Sequence, residues 1–220
     1  MVKNKYITIA LDGAAGSGKS TTAQAICKKY KYIHVDTGLH YRAISLYLLN
    51  LNISPDSASL YLSSTPLHLT SELDKFSVKL RIDGIRYSKA ELRNERMNRK
   101  VSFYARLPEV RSLLLKYQRS LPDFGRNHGF SGIIMDGRDI GSVVMPDADI
   151  KIFLHADLQL RQDRRLADGE NDSITSRDQM DSTRKVAPLT CPDGALSIDT
   201  GILPIDKVVQ LVSHNIASFS

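Results

Sequence analysis

The chain of 220 residues has no tryptophan, and its two cysteines, Cys27 and Cys191, lie far apart. Two thiols without a Cys-x-x-Cys spacing argue against a disulfide framework and a zinc site, and they suit a reducing compartment. The six histidines form neither an HExxH nor an HxxxH motif. We therefore expect the cysteines to be packing residues and the histidines to be ordinary surface or partly buried side chains.

Long hydrophobic runs are also absent from the sequence. No uninterrupted apolar segment approaches the ~20 residues needed to cross a bilayer, and Asp12 interrupts the first apolar run before a signal-peptide core could form. Hydrophobic residues make up 42% of the chain and charged residues 25%, which excludes disordered or collagen-like composition. We expect one cytoplasmic domain over residues 1–220, large enough to carry an insertion, with no membrane partner.

Positive charge exceeds negative charge, with 30 Lys and Arg against 24 Asp and Glu and a formal net charge of +6. This excess is compatible with nucleic acid, anionic lipid or small phosphorylated ligands as partners. Because no aromatic stacking platform or basic tail accompanies the charge, we expect no nucleic-acid partner. The net charge alone does not identify the ligand, so the positions of the Lys and Arg residues along the chain must be considered.

Five short apolar runs are typical of buried parallel strands. They span residues 7–11, 32–35, 132–135, 150–154 and 196–198. Apolar residues at helical spacing occupy residues 20–30, 41–51, 108–121, 158–167 and 204–219. The alternation predicts an α/β fold, with a five-stranded parallel sheet flanked by helices on both faces. Ligands of such sheets bind beyond the carboxyl ends of the strands.

The middle of the chain departs from this alternation. Residues 76–82 and 85–87 are rich in β-formers and are joined by Asp83-Gly84, a two-residue hairpin signal. We expect an inserted β-containing subdomain over about residues 54–98, ending in a charged helix over residues 89–100. Farther along, Gly, Asn, Asp and Ser in residues 167–176 favour a mobile turn over a helix.

A phosphate-binding loop follows the first predicted strand and leads into the first predicted helix. The residues that fit the pattern GxxxxGKS/T are Gly13, Ala14, Ala15, Gly16, Ser17, Gly18, Lys19, Ser20 and Thr21. Glycines let backbone N–H groups turn toward phosphate oxygens, and the helix N-terminus adds a partial positive charge. Lys19 is placed to reach the β and γ phosphates of ATP, and Ser20 to bind Mg²⁺. The NKxD motif of GTPases and the LSGGQ stretch of transporter ATPases are missing, which favours a small-molecule kinase.

Arginines and a few other polar residues are placed where they could converge on a second phosphorylated substrate. They are Arg42, Ser102, Arg111, Arg138, Asp139, Arg161, Arg165, Arg177, Asp181 and Arg184. Phosphoryl transfer between two nucleotides brings together roughly seven negative charges, and guanidinium groups stay charged and bind phosphate oxygens in pairs. The alternatives are a solvated helix arginine for Arg42 and a salt-bridged surface helix for the last three residues.

Six blocks of the sequence, in one order, resemble the cytidylate kinase family of nucleoside monophosphate kinases. They are GAAGSGKST, DTGLHYRA, VSFYARLPEVRSLLLKYQR, DGRDIGSVVMPDADIKIFL, RKVAPL and LSIDT, and they span nearly the whole chain. The resemblance implies a phosphate-loop kinase fold, with the insertion as the nucleoside-monophosphate-binding (NMP-binding) subdomain and residues 166–177 as a short lid. It also implies phosphoryl transfer from Mg·ATP to CMP or dCMP, giving ADP and CDP or dCDP.

Carried over to this chain, the family pattern implies a role for each candidate residue. Residues 13–21 would bind the phosphates of ATP, with Arg161 and Arg165 as lid arginines on the same side. The residues implied near the phosphate of the acceptor are Tyr41, Arg42, Arg138 and Arg184. The residues implied in catalysis are Lys19, Arg42, Arg138 and Arg184. The residues implied in cytosine recognition are Thr37, Ser102, Arg111 and Asp139. Asp139 can accept from the cytosine amino group, and Arg177 and Asp181 would bind the sugar hydroxyls.

Two departures from the family pattern remove no phosphate contact: Ala14 stands where many members have Pro, and Ser182 where an additional Arg is common. The eleven residues between Arg165 and Arg177 form a shorter lid than in familiar members. Either Asp36 or Asp136 could assist the metal. The alternatives for the chain are another small-molecule kinase, of the uridylate or shikimate type, and a basic ATP-binding protein that engages RNA or DNA. We expect a monomer.

Overall fold

The computed structural model describes residues 5–169, 174–183 and 189–219. The strands are β1 (Ile7–Gly13), β2 (Tyr32–Asp36), β3 (Leu69–Asp74), β4 (Ser77–Ile82), β5 (Ile85–Arg86), β6 (Gly132–Gly137), β7 (Ile150–His155) and β8 (Leu196–Asp199). The helices are α1 (Lys19–Tyr30), α2 (Thr37–Asn50), α3 (Pro55–Ser64), α4 (Lys89–Leu92), α5 (Glu95–Ala105), α6 (Pro108–Asn127), α7 (Leu158–Ala167), α8 (Ile174–Ser182) and α9 (Ile205–Ala217). A π-helical turn spans Ile140–Val144 between β6 and β7.

The strands form one sheet in the order β3-β4-β2-β6-β1-β7-β8, with β5 paired to β4. The five predicted strands are all present, and β2, β6, β1, β7 and β8 are mutually parallel. The five-stranded parallel sheet is therefore confirmed, and the hairpin strands β3, β4 and β5 bring the sheet of the described chain to eight strands. The hairpin strand β4 joins the edge of β2 through one parallel pairing, His34 with Ser77. The predicted insertion therefore continues the main sheet.

The first hairpin strand, β3, was not expected from the sequence. Its residues LTSELD are mostly half-buried and contain no continuous apolar run. They form a strand because all six pair antiparallel with β4, from Leu69 with Ile82 to Asp74 with Ser77. Long-range pairing of this kind leaves little signal in a polar sequence, because a strand is specified as much by its cross-strand neighbours as by its own propensity.

The hydrophobic core lies on both faces of the sheet. Successive residues of β1 alternate between the two faces: Ile9 and Leu11 pack on the side of α1 and α9, whereas Ala10 packs on the side of α2 and α6. All three side chains are fully buried. Because both faces are covered, the central strands read as continuous apolar runs, which is the pattern that located them in the sequence.

The five helices predicted from the alternation are all present, and the largest differences from the predicted helices occur at three places. Helix α2 begins at Thr37, since the Asp36 carboxylate caps it by accepting from the Leu39 N–H at 3.2 Å. The expected helix over residues 89–100 is two helices, because Asn94 starts α5 by accepting from the Met97 N–H at 2.8 Å. Helix α6 continues through Pro122 to Asn127.

The expected turn over residues 167–176 is only partly open to comparison. Helix α7 ends at Ala167, as the sequence indicated, but α8 already begins at Ile174, so the last three residues are helical. Residues 170–173 lie outside the described residues. Within the described parts of the chain, none of the helices has the length and apolar character of a membrane span.

Leu114 on α6 tests the core between this helix and the sheet. Its side chain is fully buried in that cluster, so Leu114→Ala should lower the free energy of unfolding by about 2–5 kcal/mol, through lost burial and a residual cavity. Urea unfolding at pH 7 measures the change. The matched control is Leu60→Ala on α3, where the side chain is 76% exposed and the effect should stay within about 0.5 kcal/mol. Equal losses in both variants would contradict this description of the core.

His40 on α2 should make stability depend on pH. Its ring is buried edge-on against Tyr117, and neither ring nitrogen has a hydrogen-bond partner among the described residues. Burial lowers the pKa of His40 to about 3, whereas an unfolded histidine titrates near 6.5. The unfolded state therefore binds more protons below pH 6.5, and the free energy of unfolding should fall by up to about 1.4 kcal/mol per unit as pH drops.

His40→Leu should remove this part of the acid destabilisation, as measured by urea unfolding between pH 7 and pH 5. His214→Gln is the control, since His214 is exposed on α9 and its loss should leave the pH dependence of the wild type unchanged. A His40→Leu variant with the full wild-type pH dependence would show that His40 is not responsible.

Candidate active site

A cleft opens at the carboxyl ends of β1, β2 and β6, which is the edge of the sheet where ligands of parallel α/β sheets bind. Its described lining residues include most of the candidates: Ala15, Gly16, Ser17, Gly18, Lys19, Ser20, Thr21, Thr37, Tyr41, Arg42, Ser102, Arg138, Asp139 and Arg165. Further lining residues are Asp36, Gly38, Arg93, Val101, Ala105, Gly137 and Asp168. The phosphate loop forms one wall, and α2 and α5 form the facing wall. The cleft therefore has two halves, each with its own polar groups.

The phosphate loop wraps around the N-terminus of α1. Gly16 and Gly18 adopt positive φ angles of 73° and 85°, which L side chains rarely adopt. A Cβ at Gly16 would lie 2.6 Å from the Arg161 carbonyl oxygen, whereas a Cβ at Gly18 would meet nothing within 4 Å among the described residues. Gly16 is therefore required by close packing behind the loop, and Gly18 by its backbone conformation, which turns the loop into the helix.

Lys19 is held along the loop. Its Nζ donates to the carbonyl oxygens of Gly13 and Ala14, each at 2.7 Å. Burial, and then the positive charge of Arg138, lower the pKa of Lys19 to about 7. Both causes reflect a site that concentrates positive charge away from water, and an anion in the cleft would act in the opposite direction.

Three arginines of α7 surround the phosphate loop. Arg161 Nη1 donates to the Ala15 carbonyl at 3.1 Å and pairs with Asp178 of α8 at 2.5 Å. Arg164 donates to the carbonyl of Gly16 at 3.4 Å and to that of Thr200 at 2.8 Å. Arg165 lines the cleft itself. Arg161 and Arg164 therefore support the loop from behind, and only Arg165 of these three faces the ligand space.

Asp136 lies at the end of β6, beside the start of α1. Its Oδ2 accepts from Ser20 Oγ at 2.9 Å and lies 3.3 Å from His34 Nε2. Burial alone would raise the pKa of Asp136, but the His34 hydrogen bond and charge, with Lys19 and Ser20, hold that pKa below its usual value. Burial likewise opposes the charged form of His34, yet the bond to Asp136 and its charge raise the pKa of His34. The two form a buried ion pair.

The Ser20 hydroxyl and the Asp136 carboxylate fit a magnesium ion bound together with nucleotide phosphates. Mg²⁺ prefers hydroxyl, carboxylate and water oxygens and usually takes only one or two protein groups beside the phosphates. The Ser20 hydroxyl lines the cleft and donates to the buried Asp136 carboxylate behind it. The Asp36 carboxylate instead bonds Arg93 at 2.9 Å and caps α2. Of the two aspartates considered from the sequence, Asp136 is the one beside Ser20.

The other half of the cleft contains the remaining arginines and a buried ion pair. Arg42 Nη1 donates to the Leu92 carbonyl at 2.8 Å, and Arg138 Nη1 to the Gly13 carbonyl at 3.1 Å. Arg111 pairs with Asp139 and lies 5.6 Å from the ring centre of Tyr41. Arg111 does not itself line the cleft as the described residues define it, but Asp139 does. The pair therefore fixes the direction of a carboxylate at the cleft surface.

Not every candidate residue can be placed. Gly13, Ala14 and Arg161 are described but are not among the residues that line the cleft. Arg177 and Asp181 belong to α8, but their side chains are outside the described part of the structure, and Arg184 lies outside the described residues altogether. The candidate roles of these three residues remain predictions.

Sequence reasoning missed Arg93, which the structure brings into the cleft beside Asp36. Arg93 lies between the two short helices α4 and α5, in the stretch ELRN, where no motif distinguishes it from a solvated helix arginine. Arg93 reaches the cleft because the chain is interrupted between α4 and α5, where Asn94 caps α5. The prediction of one helix over residues 89–100 did not include this interruption. Recognising Asn94 as a helix cap would have been the available signal.

Comparisons with known proteins show the family to which the chain belongs. The cytidylate kinase family matches residues 9–218. A cytidylate kinase of Caldanaerobacter subterraneus subsp. tengcongensis is 39% identical over 95% of this chain and 94% of its own length. Those of Exiguobacterium sibiricum and Limosilactobacillus reuteri are 38% and 36% identical, over 96% and 95% of this chain and 96% and 94% of their own. This chain therefore belongs to the cytidylate kinase family of phosphotransferases, and it is a nucleoside monophosphate kinase.

Proposed function

We propose that the enzyme transfers the γ-phosphoryl group of Mg·ATP to CMP or dCMP, giving ADP and CDP or dCDP. The observation that carries this proposal is the shared cleft. The phosphate loop lines one half, the Asp139 carboxylate held by Arg111 lines the other, and Arg42 and Arg138 line the same space. Phosphoryl transfer needs donor and acceptor held in line between positive charges, with little covalent chemistry from the protein.

The donor half fits the phosphates of ATP. Backbone N–H groups of residues 13–21 and the N-terminus of α1 attract phosphate oxygens, and Lys19 exchanges its contacts with loop carbonyls for the β and γ phosphates. Ser20, beside Asp136, would hold Mg²⁺; when bound, the ion neutralises part of the developing charge on the phosphates. Arg165 would reach the donor from α7, while Arg161 stabilises the loop.

The acceptor half fits a pyrimidine monophosphate with an exocyclic amino group. Tyr41, Arg42 and Arg138 would hold its phosphate, and Asp139 would accept a hydrogen bond from the amino group of cytosine. The Arg111 partner orients this carboxylate at the cleft surface, where its oxygens can accept a hydrogen bond. Ser102 and Thr37 line the same half and would contact the cytosine ring. Ser102 would donate to the ring, whereas the Thr37 hydroxyl donates to the Asp136 carbonyl at 2.8 Å and would offer its lone pairs as acceptors.

Several further assignments belong to the same proposal. Residues 54–98 would act as the NMP-binding subdomain and residues 166–177 as a short lid. Arg184 would contact the transferring phosphate, and Arg177 and Asp181 would contact the sugar. We propose a monomer that works in the cytoplasm on small-molecule substrates, without nucleic acid or membrane partners.

The acceptor is tested by ADP release in a coupled assay with Mg·ATP and, separately, CMP, dCMP, UMP, AMP and shikimate. We expect CMP and dCMP to be used with at least tenfold higher kcat/KM than the other acceptors. Activity confined to UMP or shikimate would keep phosphoryl transfer and overturn the cytosine site. Binding of ATP without turnover, together with an affinity for RNA or DNA that falls steeply with salt, would favour the nucleic-acid alternative.

Asp139→Ala should damage use of the acceptor far more than use of the donor. Loss of the carboxylate removes the acceptor for the cytosine amino group and leaves Arg111 buried without its partner, so the KM for CMP should rise about 100-fold or more. The KM for ATP should change less than threefold. Steady-state kinetics with each substrate varied in turn gives both numbers. Asp147→Ala, at an exposed position outside the cleft, is the matched control, and equal losses for both substrates would refute the assignment.

A further inference from the structure

Asp12 is a buried carboxylate that the proposed reaction does not use. It is the penultimate residue of β1, directly ahead of the phosphate loop, and its side chain is fully buried. Its Oδ1 accepts from the Ile140 N–H and its Oδ2 from the Gly141 N–H, both at 2.7 Å. Both oxygens are therefore committed to one short stretch of backbone on the acceptor side of the cleft.

Those two N–H groups open the π-helical turn Ile140–Val144. The first N–H groups of a helical turn have no partner within the turn, and the residue just before it usually caps them with its side chain. Here that residue is Asp139, which makes no such side-chain bond within the described structure and instead pairs with Arg111. Asp12, which lies on β1, caps the turn in place of Asp139. The Asp139 carboxylate therefore remains available to face the cleft.

A second bond ties the same segment to β1. Arg138 Nη1 donates to the Gly13 carbonyl at 3.1 Å, so residues on either side of Asp139 are both fastened to the strand that carries the phosphate loop. The approach is close: a Cβ at Gly141 would lie 3.3 Å from Asp12 Oδ2 and 3.0 Å from Pro192. The segment therefore has little room to shift while the Asp12 contacts are intact.

A carboxylate is costly at this position. Burial, with a further contribution from the charge of Asp139, raises the pKa of Asp12 to about 6, although the two backbone hydrogen bonds work in the opposite direction. A residue needed only to fill space would be apolar, because a buried charge without a compensating role destabilises the fold. The Asp12 carboxylate accepts two backbone hydrogen bonds, which an apolar side chain could not do.

We propose that Asp12 is a positioning residue for the acceptor site: it caps the turn after β6 from β1, and so aims Arg138 and Asp139 at the acceptor. The inference rests on the proposed function of that cleft half. It makes recognition of the pyrimidine depend on a residue of the strand that leads into the ATP-binding loop.

Asp12→Asn tests this inference with little change in side-chain size. The amide has one acceptor oxygen instead of two and turns an N–H donor toward a backbone N–H, so the turn should shift. We expect the dissociation constant of CMP, from calorimetry without ATP, and the KM for CMP to rise at least tenfold. The KM for ATP should stay within twofold, and the preference for CMP over UMP should fall. Asp12→Ser, whose hydroxyl can still accept one bond, repeats the test if the amide variant does not fold.

Asp149→Asn is the matched control. Its Oδ2 accepts from the Thr8 N–H at 2.8 Å, so it too is a carboxylate bonded to sheet backbone, but it precedes β7 at the opposite end of the strands from the cleft. This variant should lose stability without a change in either KM. A CMP affinity altered less than threefold in Asp12→Asn, or equal losses for ATP and CMP, would overturn the inference. A wild type that neither binds nor phosphorylates CMP would instead overturn the proposed function.

Discussion

Three neighbouring strands carry an aspartate at or next to their carboxyl ends, at the same edge of the sheet. Each of these buried or half-buried carboxylates requires hydrogen-bond donors, and the donors come from the segments that form the site. Asp12 on β1, Asp136 on β6 and Asp36 on β2 lie within one residue of each other in register. Each is held by different donors: backbone N–H groups for Asp12, Ser20 and His34 for Asp136, and Arg93 with the start of α2 for Asp36. Because buried charges must be paired or hydrogen-bonded, each carboxylate fixes a different segment around the cleft.

The parallel core was predictable because its signals are local. Continuous apolar runs such as residues 7–11 follow from burial on both faces, and the phosphate loop follows from a motif between a strand and a helix. The strand β3 was not predictable, since its polar sequence becomes a strand only through pairing with β4. The prediction of a single helix over residues 89–100 was wrong for a local reason, because Asn94 caps α5 within that stretch.

At the site, residue types indicated chemistry but not contacts. Arginines after strand ends pointed to phosphates, and Arg42, Arg138 and Arg165 do line one cleft. The sequence could not show that Arg161 supports the loop from behind, that Arg111 pairs with Asp139, or that Arg93 enters the cleft. Each of these depends on side-chain direction and on distances between segments far apart in the chain, which spacing along one sequence does not contain.

The Gly13 carbonyl oxygen accepts from both Lys19 and Arg138, and this shared acceptor affects the energetics of ligand entry. A phosphate that reaches either cation displaces a protein contact as well as water, so the net gain is the difference between two charge-assisted bonds. Small anions that engage one cation alone gain little from this exchange. A nucleotide offers several phosphate oxygens and a base, and so recovers the loss through contacts that a simple anion lacks. The backbone contacts of Lys19 and Arg138 therefore favour ligands that offer several oxygens over simple anions.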